Sequence, residues 1–189
     1  ALLVKSENYV KIVGDKSLSR RDFSRVIKPL KEIGVNILSN NGKLPLKIKG
    51  SNFLRPITYN EKLGSAQCKS CVMLAALNIR GKTIIKARKS RNHTEIFFSN
   101  LNLPMKIKKN KKHDYIEIKG NSNFRSINYI IPGDISASSF FIVLTLLSEN
   151  SEILIKNVCV NESRTGIINI LNKMNANIKM INKKKYKGE

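Results

Sequence analysis

The sequence contains no tryptophan, and aromatic residues make up only 6% of its 189 positions. Stacking platforms for single-stranded nucleic acid are therefore scarce. Acids are few as well: 13 Asp and Glu stand against 35 Lys and Arg, a formal charge of +22. Three cysteines, an odd number in a chain this long, make no disulfide framework, so a reducing compartment is expected. The longest apolar run, Phe140–Leu147, is too short to cross a bilayer, and no membrane partner is expected. A secretory leader pattern is missing. There is also no Walker-type phosphate loop, no Gly-x-Ser-x-Gly elbow and no metal-ligand spacing, so no metal site is expected.

Hydrophobic residues reach 41%, enough for a folded protein despite the charge. The cations are 26 Lys and 9 Arg, and they come with 25 Ile and 22 Asn. Phosphate and base forks favour Arg. A dispersed excess of Lys, Asn and Ile reads as a surface-wide compositional bias, and no nucleic-acid partner is expected from it. The two dense clusters, Lys106–Lys112 and Lys183–Lys187, read as a solvated hairpin and a solvated tail.

One pattern occurs three times: a β-type run, a polar turn with Arg, an amphipathic helix, and a second β-type run. The first copy is Val10–Val13, Arg21, a helix to Ile33, then Val35–Leu38. The second is Lys82–Lys86, Arg91, a helix to Leu101, then Pro104–Ile107. The third is Glu152–Val158, Arg164, a helix to Met174, then Ala176–Met180. The three arginines lie 70 and 73 residues apart. The last two copies extend upstream into apolar helices, Ser65–Leu77 and Ser136–Leu147, which are apolar nearly all round and so should be interior. The unit is therefore α/β, about 70 residues long, and suited to a multi-unit globular fold. Phe23, Val26, Ile27, Leu30 and Ile33 share one helix face, and Gly34 stops that helix, whereas Pro29 should kink or split it. Ile116–Lys119 and Asn128–Ile131 read as strands, and Pro132-Gly133-Asp134 as a domain junction.

For chemistry the recurring theme is anion binding at helix starts, where unpaired N–H groups and the positive end of the dipole lie. Ser65-Ala66-Gln67 offers a hydroxyl, backbone donors and an amide; Ser90-Arg91 and Arg20-Arg21 add guanidinium forks. Each taken singly is equally consistent with a helix cap. Cys68 and Cys71 form C-x-x-C inside an apolar helix and read as small buried side chains. His93, at a helix start, reads as a packing or capping residue, and His113 as a solvated one.

At these positions the sequence resembles the 5-enolpyruvylshikimate-3-phosphate (EPSP) synthase family, in its bacterial class II branch. The matching segments are Gly14–Arg21, Pro29–Gly34, Ser65–Ser70, Ser90–Glu95, Pro132–Ser136 and Asn161–Gly166, in the family's order. The resemblance implies the enolpyruvyl transferase fold, an α+β fold of repeated βαβαββ units with helices packed inside. It also implies a two-domain enzyme of which this chain is an incomplete part. Residues 1–130 would belong to the N-terminal substrate-binding domain and 131–189 would begin the second.

The implied reaction transfers the enolpyruvyl group of phosphoenolpyruvate (PEP) to the 5-hydroxyl of shikimate 3-phosphate and releases phosphate, without a metal or other cofactor, in a cytoplasmic monomer. By position, Ser65, Ala66, Gln67 and Arg91 resemble the shikimate 3-phosphate site, and Arg21 with Gln67 the PEP site. No catalytic residue is expected within the chain, because the catalytic Asp would lie downstream. The Ala at position 1 and the unpatterned end at 182–189 fit that expectation of a central piece, inactive alone. Two departures stand out: Asp22 where the family usually has Pro, beside the PEP arginine, and Asn92 where it usually has Asp. Alternatives are the sister enzyme that transfers enolpyruvyl to UDP-N-acetylglucosamine, and a basic nucleic-acid-binding protein of related fold.

Overall fold

The computed structural model describes residues 1–120 and 126–188. The chain divides into two compact units, Ala1–Ser90 with Asn102–Phe124, and Arg91–Leu101 with Arg125–Glu189.

The first unit carries two sheets. Strand β1 (Val10–Ile12) leads through a short 3-10 turn at Leu18–Arg20 to helix α1 (Ser24–Ile33). Strands β2 (Asn36–Asn40) and β3 (Lys43–Lys49) follow and close the first sheet, ordered β1-β3-β2 and antiparallel throughout. Helix α1 ends where Gly34 turns left-handed, with φ at +115°. Pro29 does not split it: the helix runs unbroken from Ser24 to Ile33, with the Pro29 ring buried. The ring adds apolar surface to the packed face, which offsets the one backbone hydrogen bond it removes. That face, Ile27, Leu30 and Ile33, forms one core cluster with Val35 and Ile37 and with the alternating Leu44, Leu46 and Ile48 of β3. The repeat frame left β3 out, although its burial alternates strictly, as in a half-buried strand.

Along the chain the strands of the second sheet and the helices between them follow the order βαβαββ, with the second of those helices belonging to the other compact unit. Strand β4 (Thr58–Glu61) runs parallel to β5 (Lys82–Arg88), joined by helix α2 (Ala66–Ala76). Helix α3 (His93–Asn100) follows, and then the hairpin of β6 (Met105–Lys109) and β7 (His113–Lys119). The order is β4-β5-β7-β6, with β7 antiparallel to both of its neighbours. Helix α2 is interior as expected: Cys68, Val72, Met73, Ala75 and Ala76 are buried. The Lys106–Lys112 cluster is the expected hairpin.

The second unit corrects several expectations. Helices α4 (Ile135–Leu147) and α5 (Gly166–Lys173) form, but Glu152–Val158, Ala176–Met180 and Asn128–Ile131 are not strands. A strand exists only with a ladder partner. Among the described residues these runs find a single bridge, Gly133 to Val158. Cys159 accordingly lies outside any strand. Helix α4 is not interior either: Phe140 and Leu147 are 78% and 80% exposed, because no strand layer among the described residues covers its apolar surface. The Lys183–Lys187 tail is not merely solvated. Tyr186 rests on Tyr129 at 5.4 Å and its hydroxyl accepts the Ile130 N–H at 3.1 Å.

No helix among the described residues is long and apolar enough to cross a membrane.

Candidate functional site

The most elaborately built helix start in the first unit lies between β4 and α2. Glu61, the last residue of β4, is only 2% exposed. Its carboxylate accepts two backbone N–H groups, from Leu63 at 3.0 Å and from Gly64 at 2.7 Å. Gly64 then turns left-handed, with φ at +70°, which a side chain at this position would oppose. Ser65 caps α2: its hydroxyl oxygen accepts the Cys68 N–H at 3.3 Å, and its carbonyl accepts the Lys69 N–H at 3.1 Å.

These bonds use up the donors on either side of a three-residue window. Among the described residues, the N–H groups of Ser65, Ala66 and Gln67 donate to no protein acceptor. Such groups at a helix start attract anions. The Ser65 hydroxyl accepts from Cys68 and still has its own proton to donate. The exposed Gln67 amide oxygen accepts from Arg25 Nη2 on α1 at 3.5 Å, which brings a cation to the same helix start. Lys69, one turn further on, is 1% exposed and is itself engaged.

Arg21 follows the 3-10 turn and is exposed; among the described residues its side chain makes no hydrogen bond or ion pair. The neighbouring Asp22 is committed to the start of α1, where its carboxylate accepts the Ser24 N–H at 2.8 Å. Hydrogen bonds from Ser24 hold the Asp22 carboxyl below the usual carboxylate range.

Arg91 belongs to the second unit, exposed and immediately ahead of α3. Asn92 beside it accepts at its amide oxygen from Asn161 Nδ2 at 3.0 Å and from the Ser163 hydroxyl at 3.4 Å. Thus the segment Asn161–Gly166 meets the start of α3. Arg164 in that segment also reaches Asp134 at the start of α4.

Two contributors were not among the residues singled out from the sequence. Arg25 lies four residues beyond Arg21, a spacing open to view in the sequence. Glu61 gave only a weak signal, an acid at a strand end three residues before a glycine. Among the described residues no group of three His, Cys, Asp or Glu is placed to hold a metal.

A sequence model of EPSP synthase (3-phosphoshikimate 1-carboxyvinyltransferase) matches residues 1–187. The chain belongs to the EPSP synthase family. Among its curated relatives, the 3-phosphoshikimate 1-carboxyvinyltransferase of Vesicomyosocius okutanii is 42% identical over 94% of this chain and 40% of its own length. That of Legionella pneumophila strain Corby is 38% identical over the whole chain and 43% of its own length. The solved EPSP synthase of Acinetobacter baumannii superposes with a TM-score of 0.80 at 31% identity, covering 98% of this chain and 42% of that one. The fold is thus the mixed α/β fold of this family. The chain spans about two fifths of the length of the relatives it matches.

Proposed function

We propose that this chain forms the central part of an EPSP synthase. That enzyme joins the C2 carbon of PEP to the 5-hydroxyl oxygen of shikimate 3-phosphate through a tetrahedral intermediate, then expels phosphate. Residues 1–130 form part of the substrate-binding domain and 131–189 begin the second. The enzyme works in the cytoplasm, as a monomer, on two small anionic substrates.

In this reading the Ser65–Gln67 window holds the phosphate of shikimate 3-phosphate. The Ser65 proton and three adjacent backbone N–H groups supply donors fixed before the ligand arrives, so little ordering cost remains at binding. Arg91 adds a guanidinium fork to the same substrate. Arg21 clamps PEP, with the Gln67 side chain shared between the substrates. Asp22 stays ionised beside Arg21, but among the described residues it forms no ion pair with it: its carboxylate is turned onto the Ser24 N–H. These groups bind and orient charge as it develops on the phosphate and carboxylate oxygens. The proton transfers fall to residues outside 1–189, the catalytic Asp among them.

The observation that carries this reading is the run of three unused N–H donors at Ser65–Gln67, in a chain whose family model matches almost every residue. Isothermal titration of the chain with shikimate 3-phosphate tests it. Saturable binding that Ser65→Ala weakens supports the site; binding unchanged in Ser65→Ala sinks it.

A further inference from the structure

We propose that Glu61 is the positioning residue of this anion site. It sets which backbone donors the ligand can reach, and the inference rests on the shikimate 3-phosphate reading given above.

Five consecutive residues lead into α2, Leu63 to Gln67, and every one carries an N–H on a strand-to-helix turn. A helix start with many open donors would let an anion settle in several registers. Here the first two are closed off, because Glu61 takes the Leu63 and Gly64 N–H groups. The Cys68 and Lys69 donors that follow the window are taken by Ser65. The open window is therefore bounded on both sides, by a carboxylate upstream and by the cap downstream.

The chemistry of Glu61 fits this task better than a generic turn role. Burying a carboxylate is costly unless its oxygens are filled by donors. An exposed Asn, Asp or Ser would close a turn of this length without that cost. A buried Glu reaching up from the end of β4 fixes two donors with one rigid, planar group, and it does so from a strand locked to β5 over Thr58–Glu61. The turn also lies beside the end of that neighbouring strand: a side chain at Gly64 would lie 3.9 Å from the Arg88 Cβ and 3.4 Å from the carbonyl oxygen of Lys89, the residue after β5. The carboxylate thereby couples the start of α2 to the sheet. It touches no substrate and acts through Gly64 and Ser65.

The test is amide NMR of the 189-residue chain titrated with shikimate 3-phosphate, in wild type, Glu61→Gln and Gly64→Ala. In wild type, ligand-induced shifts centre on Ser65, Ala66 and Gln67. In Glu61→Gln the amide group faces one backbone N–H with its own donor. The Leu63 and Gly64 amides then exchange faster, the ligand shifts spread onto them, and affinity falls about tenfold or more, as expected when a charged hydrogen-bond partner is lost. A purely structural role would lower stability without moving the ligand's footprint along the chain. If Glu61→Gln fails to fold, Gly64→Ala strains the same turn while leaving the carboxylate in place, and it gives the same spread and loss. Equal affinity and an unmoved footprint in a folded variant overturn the inference alone. Wild-type amides at Ser65–Gln67 that do not respond to shikimate 3-phosphate overturn the site reading and this inference together.

Discussion

Arg164 donates to the Asp134 carboxylate at 3.0 Å, tying the segment ahead of α5 to the first turn of α4. Asp134 is also the N-cap of α4, accepting the Ser136 N–H at 2.9 Å. The Ser136 backbone N–H first, and the Arg164 guanidinium second, hold its carboxyl below the ordinary value of 3.8. A carboxylate with a depressed folded pKa contributes stability above its unfolded pKa, and that contribution disappears as pH falls through the lower folded value. The Ser136 amide resonance should therefore stay fixed from neutral pH down through the range where an ordinary Asp protonates, and move only below it as the cap protonates. Asp134→Asn should remove that titration, while the matching one at Ser24, whose N–H donates to Asp22, persists.

Ser65→Ala removes the hydroxyl that accepts the Cys68 N–H. Loss of a Ser cap costs about 1 kcal/mol. Chemical denaturation should show a lower midpoint of this order with an unchanged slope. Replacing the cap with Asp should restore stability but not shikimate 3-phosphate binding, because a carboxylate supplies no proton and repels the phosphate.

Gly34→Ala tests the end of α1. The backbone there sits at φ +115°, and an added Cβ would lie 3.0 Å from the Phe53 carbonyl oxygen. Strain of this kind costs on the order of 1–3 kcal/mol. The melting temperature should drop, whereas it should not drop in the same way for the exchange at Gly166, where an added Cβ would meet no further side chain or backbone within 4 Å.

What could be read from the sequence depended on whether a residue's partners are local. Helix α1 declares itself through Phe23, Val26, Ile27, Leu30 and Ile33, because helical hydrogen bonds and one packed face are set by near neighbours. The Ser65–Gln67 start was legible for the same reason. The repeat pattern predicts strands at Glu152–Val158 and Ala176–Met180, yet a β-type run without a ladder partner does not form a strand. Helix α4 repeats the point, since an apolar helix becomes interior only where something covers it. Glu61 leaves little trace in the sequence because its significance lies in two backbone N–H groups, which almost every residue type carries.

The C-x-x-C pair should be chemically quiet. Cys68 is buried and free, and burial pushes the Cys71 thiol above its ordinary value. Thiolate, the reactive form, is thus scarce at neutral pH. A thiol reagent at pH 7 should label Cys71 slowly in the folded chain and promptly in denaturant. Rapid labelling, or a Cys68–Cys71 disulfide under mild oxidant, would contradict this.

The most direct test of the whole account is phosphate release from PEP by a polypeptide of the relatives' length that contains this chain. The account predicts release only when shikimate 3-phosphate is also present, abolished by Arg21→Ala and strongly reduced by Arg91→Ala and Ser65→Ala. Turnover with UDP-N-acetylglucosamine in place of shikimate 3-phosphate, or release that Arg21→Ala leaves unchanged, would contradict it.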